Sequence, residues 1–219
     1  MRACLHGLLL TGCLAAPTWA ATPATERATT AIDAAGILQR LTRPPPMATP
    51  FVELRESSML KRPMRLAGEY RRPDADTLVR DVRSPYVETT TIRDGEATLA
   101  REGRAARTFS LSRVPELAAL QGSFGALLSG DRALLERHYT LDAAGAADDW
   151  MLTMTPKDAR SASRLTAVVL RGRGDELRCI ETQPVKGDAQ PTLLGSAAAA
   201  AGAVETLDDA LRLCRERVR

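Results

Sequence analysis

The sequence predicts an α+β fold in which one antiparallel sheet has its open face covered by helices. Three observations carry this. The apolar pattern runs helix, strands, helices, strands along the chain, which suits a layered α+β domain. From Pro50 onward the apolar residues recur with period two, the spacing of a half-buried strand. Asp94-Gly95 lies between Ile92 and Leu99, a strong short-range hairpin signal.

Ala21 to Thr30 is small and polar and predicts no element. Ile32 to Thr42 predicts a helix, because Ala35, Leu38 and Leu41 recur at three-residue spacing. Arg43-Pro44-Pro45-Pro46 stops it, since proline offers no amide proton to the helical ladder. Val52 and Leu54 then alternate with Glu53 and Arg55, and Met64, Leu66 and Tyr70 share a face opposite Arg65, Glu69 and Arg71. Thr77 to Val82 and Tyr86 to Ile92 are rich in β-branched residues, and Arg107 to Leu111 closes this run. Turns at short intervals make it an antiparallel meander.

The middle of the chain predicts helix. Pro115 suits a first helical position, and Leu117, Leu120, Phe124, Leu127 and Leu128 form an apolar stripe. Gly122 and Gly125 interrupt the stripe, either to loosen it or to let it pack closely. Asp131 can cap a further short helix through Leu135. Strands resume at Tyr139 to Leu141, Trp150 to Thr155, Leu165 to Leu170 and Leu177 to Thr182, with Gly172-Arg173-Gly174-Asp175 turning between the last two. Ser196 to Gly202 reads as an alanine-rich, low-complexity linker. Thr206 to Val218 reads as an amphipathic helix carrying Leu207, Leu211, Cys214 and Val218 on one side.

Length and composition bound the function. A chain of 219 residues with 44% hydrophobic and 26% charged residues suits a domain with a real core. A net charge of +3 is too small to predict nucleic-acid binding. The first twenty residues resemble an export signal: Arg2, an apolar run from Leu8 to Ala16, and Thr18-Trp19-Ala20 with small residues where a signal peptidase reads. That run falls short of the ~20 apolar residues a bilayer span needs. The expected product is a periplasmic protein starting near Ala21. A competing reading of Leu10-Thr11-Gly12-Cys13 is a lipobox, in which Cys13 is acylated and anchors the protein to a membrane. Cleavage after Ala20 leaves Cys179 and Cys214, which an oxidising compartment allows to pair or which stay as two free thiols.

Catalytic chemistry is hard to build from these residues. His6 leaves with the leader and His138 stands alone, so neither a histidine triad nor a histidine-rich metal site is expected. Gly122-Ser123-Phe124-Gly125 is only a fragment of a nucleophile elbow and lacks a base partner. Asp148-Asp149 and Asp208-Asp209 are adjacent carboxylates, which do not share a face of a helix or strand and suit loop and cap roles better than acid–base work. Lys61-Arg62, with Arg65 and Arg71, forms either a basic stripe for anionic lipid or the wet side of a sheet. The expectation is a protein that is not an enzyme and uses no metal or cofactor.

Several segments, in order, resemble the outer-membrane lipoprotein carrier family LolA. Phe51-Val52-Glu53 is similar to the start of its first strand, and Gly68-Glu69-Tyr70-Arg71-Arg72-Pro73-Asp74 to its Lys-Arg-Pro-Asn segment. Ile92-Arg93-Asp94-Gly95 is similar to its Ser-Asp-Gly hairpin, and Val114-Pro115-Glu116-Leu117 falls where its lid helices begin. Trp150-Met151-Leu152 with Thr155-Pro156-Lys157 is similar to its Val-Leu-Thr-Pro-Lys strand, and Gly172-Arg173-Gly174-Asp175 to its next turn. The resemblance covers roughly Ile32 to Pro184. It departs at Leu99-Ala100, where the family has aromatic residues, and near Val79-Arg80, where the family has a tryptophan.

The resemblance implies an incomplete antiparallel β-barrel, a curved sheet with a helical lid over a hydrophobic cavity. On that basis the chain divides into a leader at 1–20, a carrier domain at 21–195, and the alanine-rich linker with its helix at 196–219. It implies a monomeric shuttle that takes the acyl chains of a lipoprotein or other lipidated cargo from an inner-membrane donor to an outer-membrane acceptor. Arg72 stands where the family's lid-latching arginine precedes the proline. Met59, Leu60, Met64, Leu66, Tyr70, Phe109, Leu117, Leu120, Phe124 and Leu127 are the expected cavity lining. Rival readings are a lipid sensor or partner-binding adaptor on the same fold, an acceptor anchored through Cys13, and a secreted enzyme of another type.

Overall fold

A computed structural model describes residues 31–55, 62–111 and 126–216. Met59, Leu60, Pro115, Leu117, Leu120, Gly122, Phe124 and Gly125, and residues 1–30 with Cys13, lie outside these residues. The strands are β1 (Met47–Arg55), β2 (Met64–Arg72), β3 (Leu78–Ser84), β4 (Glu88–Arg93), β5 (Glu96–Arg101), β6 (Arg107–Ser110), β7 (Tyr139–Ala146), β8 (Asp149–Pro156), β9 (Leu165–Arg173), β10 (Glu176–Pro184) and β11 (Gln190–Leu194). They form one 11-stranded sheet in the order β6-β5-β4-β3-β2-β1-β11-β10-β9-β8-β7. Neighbours are antiparallel, and the end strands β6 and β7 do not meet, so the sheet curves without closing.

Successive hairpins account for most of this order. At the β4–β5 turn Asp94 and Gly95 both have positive φ, 50° and 74°, as a tight two-residue turn matched to strand twist requires. The join between the two meanders is β11, which pairs with β1 on one side and β10 on the other. The sequence reading assigns no strand there.

The helices are α1 (Ala34–Leu41), α2 (Arg132–His138), α3 (Ala159–Ala162), α4 (Gly195–Ala200) and α5 (Leu207–Arg215). Asp33 caps α1 by accepting from the Gly36 amide at 2.8 Å, and Asp131 caps α2 by accepting from the Leu134 amide at 2.9 Å. Register then assigns every strand residue to a face. The inner face of β7–β9 carries Trp150, Leu152, Met154, Val168 and Leu170, and α1, α2 and residues 126–129 cover it with Ile37, Leu38, Leu135 and Leu127. Trp150 is buried, with its indole donating to the Gly174 carbonyl at 3.0 Å.

The outer face is covered over β1, β10 and β11. Val52, Leu54, Cys179 and Leu193 point outward from β1, β10 and β11 into a second core with Ala197, Ala198, Ala201, Leu207 and Ala210. The stretch expected as an alanine-rich linker is therefore a packed layer, α4 followed by a 3-10 turn at Ala201–Ala203. Small side chains suit it, since Ala197 and Ala201 have no exposure and sit directly on the strands. Cys179 of β10 and Cys214 of α5 are disulfide-bonded, with Cα atoms 5.5 Å apart, inside the usual range for the bond. Asp208 and Asp209 occupy the first turn of α5, where negative charge favours the helix, and Thr206 accepts from the Asp209 amide.

Candidate functional site

Helices cover the inner face over β7–β9. Over β2–β6 the described residues leave a groove of about 390 Å³. Its walls are apolar: Leu78 and Ile92 from β3 and β4, Leu99 and Phe109 from β5 and β6, and Ile180 from β10 across the sheet. They face one way because their register partners do. Leu78 pairs with Ile92, Ile92 with Ala97, and Ala97 with Phe109.

The floor is charged. Val52 and Leu54 turn to the outer core, so Glu53 and Arg55 face the groove, with Phe51 buried on the same side of the sheet. Arg80 donates to Glu53 Oε2 at 2.7 Å, and both side chains are largely buried. Arg55 also pairs with Glu53. The Arg80 guanidinium lies 4.8 Å from the Phe51 ring centroid, a cation–π distance, and the Phe51 and Tyr70 rings are 4.8 Å apart. Burial pushes the Tyr70 phenol above its ordinary value, against the nearby charge of Arg80. Burial works against the charge on Arg80 too, but interactions with Tyr70 and Glu53 outweigh it and hold the guanidinium above its ordinary value. Toward the rim Arg101 lies over the Tyr86 ring at 3.8 Å and faces Glu88 at 3.8 Å. The groove thus joins an apolar trough to one fixed polar cluster, a shape for an amphiphile with a polar atom near its middle or end.

Of the expected lining residues, Tyr70 and Phe109 border this groove. Leu66 is fully buried in a core with Phe51, Val82 and Leu194, against which Met64 packs. Leu127 lies beneath α1, in the core over β7–β9. Arg72 is buried at the end of β2, donating to the Arg43 carbonyl at 3.1 Å and the Ala75 carbonyl at 3.2 Å. The Arg43 amide in turn donates to the Leu128 carbonyl at 3.0 Å. Arg72 therefore joins β2 to the exit of α1 and, through it, to the helical turn at 126–129.

Other sequence candidates fall elsewhere. His138 is exposed at the end of α2. Arg65 reaches the Ala201 carbonyl beneath the outer layer, and Arg71 pairs with Asp81, so these two do not make an open basic stripe. No three-residue group of His, Cys, Asp or Glu suited to a metal occurs among the described residues. Glu53, Arg80, Leu78, Ile92, Leu99 and Ile180 are site residues the sequence reading did not single out. Period-two alternation carried the signal, but its usual rule of apolar-in and polar-out fails at β1, β10 and β11, where an outer layer also packs on the sheet.

A family model described as outer membrane lipoprotein carrier protein LolA-like matches residues 26–217. The chain belongs to this LolA-like family. The match runs past the part legible as a resemblance and takes in α4 and α5, so the outer layer lies within the family's own span. A crystal structure of a LolA superfamily protein from Nitrosomonas europaea aligns over 74% of this chain and 76% of its own, at 14% identity and a TM-score of 0.37. No curated protein matches the chain. The open antiparallel sheet, with a groove on its inner face among the described residues, is the framework of a LolA-like fold.

Proposed function

We propose that this LolA-like protein is a periplasmic carrier that takes acyl chains of a lipoprotein or other lipidated molecule into the inner groove and moves them from the inner to the outer membrane. The apolar trough of Leu78, Ile92, Leu99, Phe109 and Ile180 on an unclosed sheet carries this reading. Burying an acyl chain gains about 0.8 kcal/mol per CH₂, so a short stretch suffices for binding. Release needs an open side, which the separation of β6 from β7 supplies. Tyr70 and Phe109 contact the cargo, and Arg72 couples β2 to the α1 exit so that the inner helices and the groove rim move together. The two stretches where aromatic residues of the family are missing, around Leu99-Ala100 and near Val79-Arg80, each contribute one residue to the groove, Leu99 and Arg80. The cargo therefore differs in shape from that of an aromatic-lined cavity and carries a polar group that meets Arg80 and Glu53.

Mass spectrometry of the protein purified from the periplasm, run native and denatured, tests this. The expected result is a non-covalent lipid on a chain that begins near Ala21. An acyl mass on Cys13 would instead make it an anchored acceptor. A ligand-free chain in a stable complex with one protein would replace the carrier with an adaptor.

A further inference from the structure

A second cleft, about 320 Å³, opens where β7, β8 and β9 run past the C-terminal end of α5. It lies on the outer face, opposite the groove. Ala144, Met151, Arg171 and Cys179 are in register across β7 to β10, and Cys179 belongs to the outer core. Arg171, Arg173, Arg178 and Arg215 line it, against the carboxylates of Asp149 and Glu216.

Three of these arginines are committed to protein partners. Arg171 and Arg215 hold the enclosed Glu181 carboxylate at 2.7 and 2.9 Å. Arg173 donates to the Glu216 carbonyl at 3.1 Å. Arg178 differs. It is only 6% exposed, yet no carboxylate among the described residues comes within 4.0 Å of it. Its one hydrogen bond runs from Nε to Ser196 Oγ at 3.3 Å, and that hydroxyl is itself bound to Glu176 at 2.8 Å. The register explains the position. A bulge between Leu177 and Cys179 makes Arg178 the extra residue of β10 and turns it toward the cleft. A guanidinium largely withdrawn from water without an acid beside it is costly unless something else supplies the charge. Its terminal nitrogens have no protein partner among the described residues, and they are not sealed from solvent.

We propose that this cleft is an oxyanion site that takes a phosphate group on the guanidinium fork of Arg178. The planar fork matches two phosphate oxygens, and Arg173 and Arg215 add positive potential at the rim. The disulfide sets the spacing, because Cys179 follows Arg178 in β10 and Cys214 precedes Arg215 in α5. The phosphate comes either from a small soluble ester or from a phospholipid headgroup.

The test titrates the oxidised full-length mature protein at low salt with inorganic pyrophosphate, and separately with phosphatidylglycerol and phosphatidylcholine vesicles. Arg178→Gln is expected to weaken binding at least tenfold. Ala144→Glu does the same by placing a carboxylate at the exposed rim with every arginine kept, so the proposal stays testable if the buried change disturbs folding. Pyrophosphate binding without a vesicle preference identifies a soluble phosphate. Preference for phosphatidylglycerol, competed by pyrophosphate and lost in the variants, identifies a headgroup. A wild-type protein that binds neither, or binding unchanged in every folded variant, overturns the site.

Discussion

The carboxylate of Glu181 has no exposure and is held by Arg215 and Arg171 from two different elements. Burial alone would raise its pKa, but the hydrogen bonds from Arg215 and Arg171 outweigh that and hold it below the ordinary value of 4.5. A depressed carboxylate stabilises the folded state above its unfolded pKa and loses that contribution as pH falls through the folded value. Glu181→Gln should therefore lower stability by about 2 kcal/mol at neutral pH, since removing one member of a buried pair strands the others. The difference between variant and wild type should shrink as pH falls below the ordinary value and through the lower folded one, seen as converging urea midpoints. A difference constant down to pH 3 would remove the ion pair from the explanation. Arg72→Leu removes two carbonyl contacts that tie β2 to the α1 exit and to its own following turn. It should slow or misdirect lipid transfer between vesicles, and unchanged binding and transfer would take Arg72 out of the mechanism. Residues of these two kinds were unequally legible. Tyr70 was placed on an apolar face by alternation, Phe109 was expected in the cavity lining, and Arg72 was named only through the resemblance to the family's Lys-Arg-Pro segment. Glu181 was not named, because its partners lie 10 and 34 residues away and only the fold brings them together.

At the scale of elements, the strands with clear alternation and the Asp94-Gly95 hairpin were readable, and so was the cap Asp131, whereas the cap Asp33 fell inside the span expected as helix. β11 was not readable. It is five residues long, contains Pro191, and neighbours an alanine run that carries no amphipathic period. Its position is set by pairing on both sides rather than by local preference. The outer layer also inverted the reading of β1, where Val52 and Leu54 serve the outer core and Glu53 serves the groove. The disulfide locks that layer down. With a sequence separation of 35, closing the loop is worth about 3–4 kcal/mol in the chain-entropy account. Reduction, or Cys214→Ala, should lower the urea midpoint accordingly, and an unchanged midpoint would show that α5 is held by its apolar contacts alone. Gly172 has a different task. A Cβ there would meet the Trp150 ring and the Glu176 carbonyl. Gly172→Ala should cost about 1–3 kcal/mol through overpacking, with a change in Trp150 fluorescence.

The whole molecule is a curved sheet with unlike faces. Among the described residues its inner face is covered by helices over β7–β9 and holds a groove over β2–β6, while α4 and α5 cover its outer face over β1, β10 and β11. This division suits the proposed carrier, because the helix-covered cores and the groove lie over different parts of the sheet. Binding and folding should then respond to different substitutions. The most direct test is the affinity of a fluorescent acyl-chain probe for the wild type and for Leu99→Asp. Leu99 is half-buried and borders the groove without belonging to either sealed core. The account predicts saturable binding that Leu99→Asp weakens at least tenfold with the unfolding midpoint unchanged. Equal probe affinity in the two proteins would contradict it, and would place the lipid somewhere other than the inner groove.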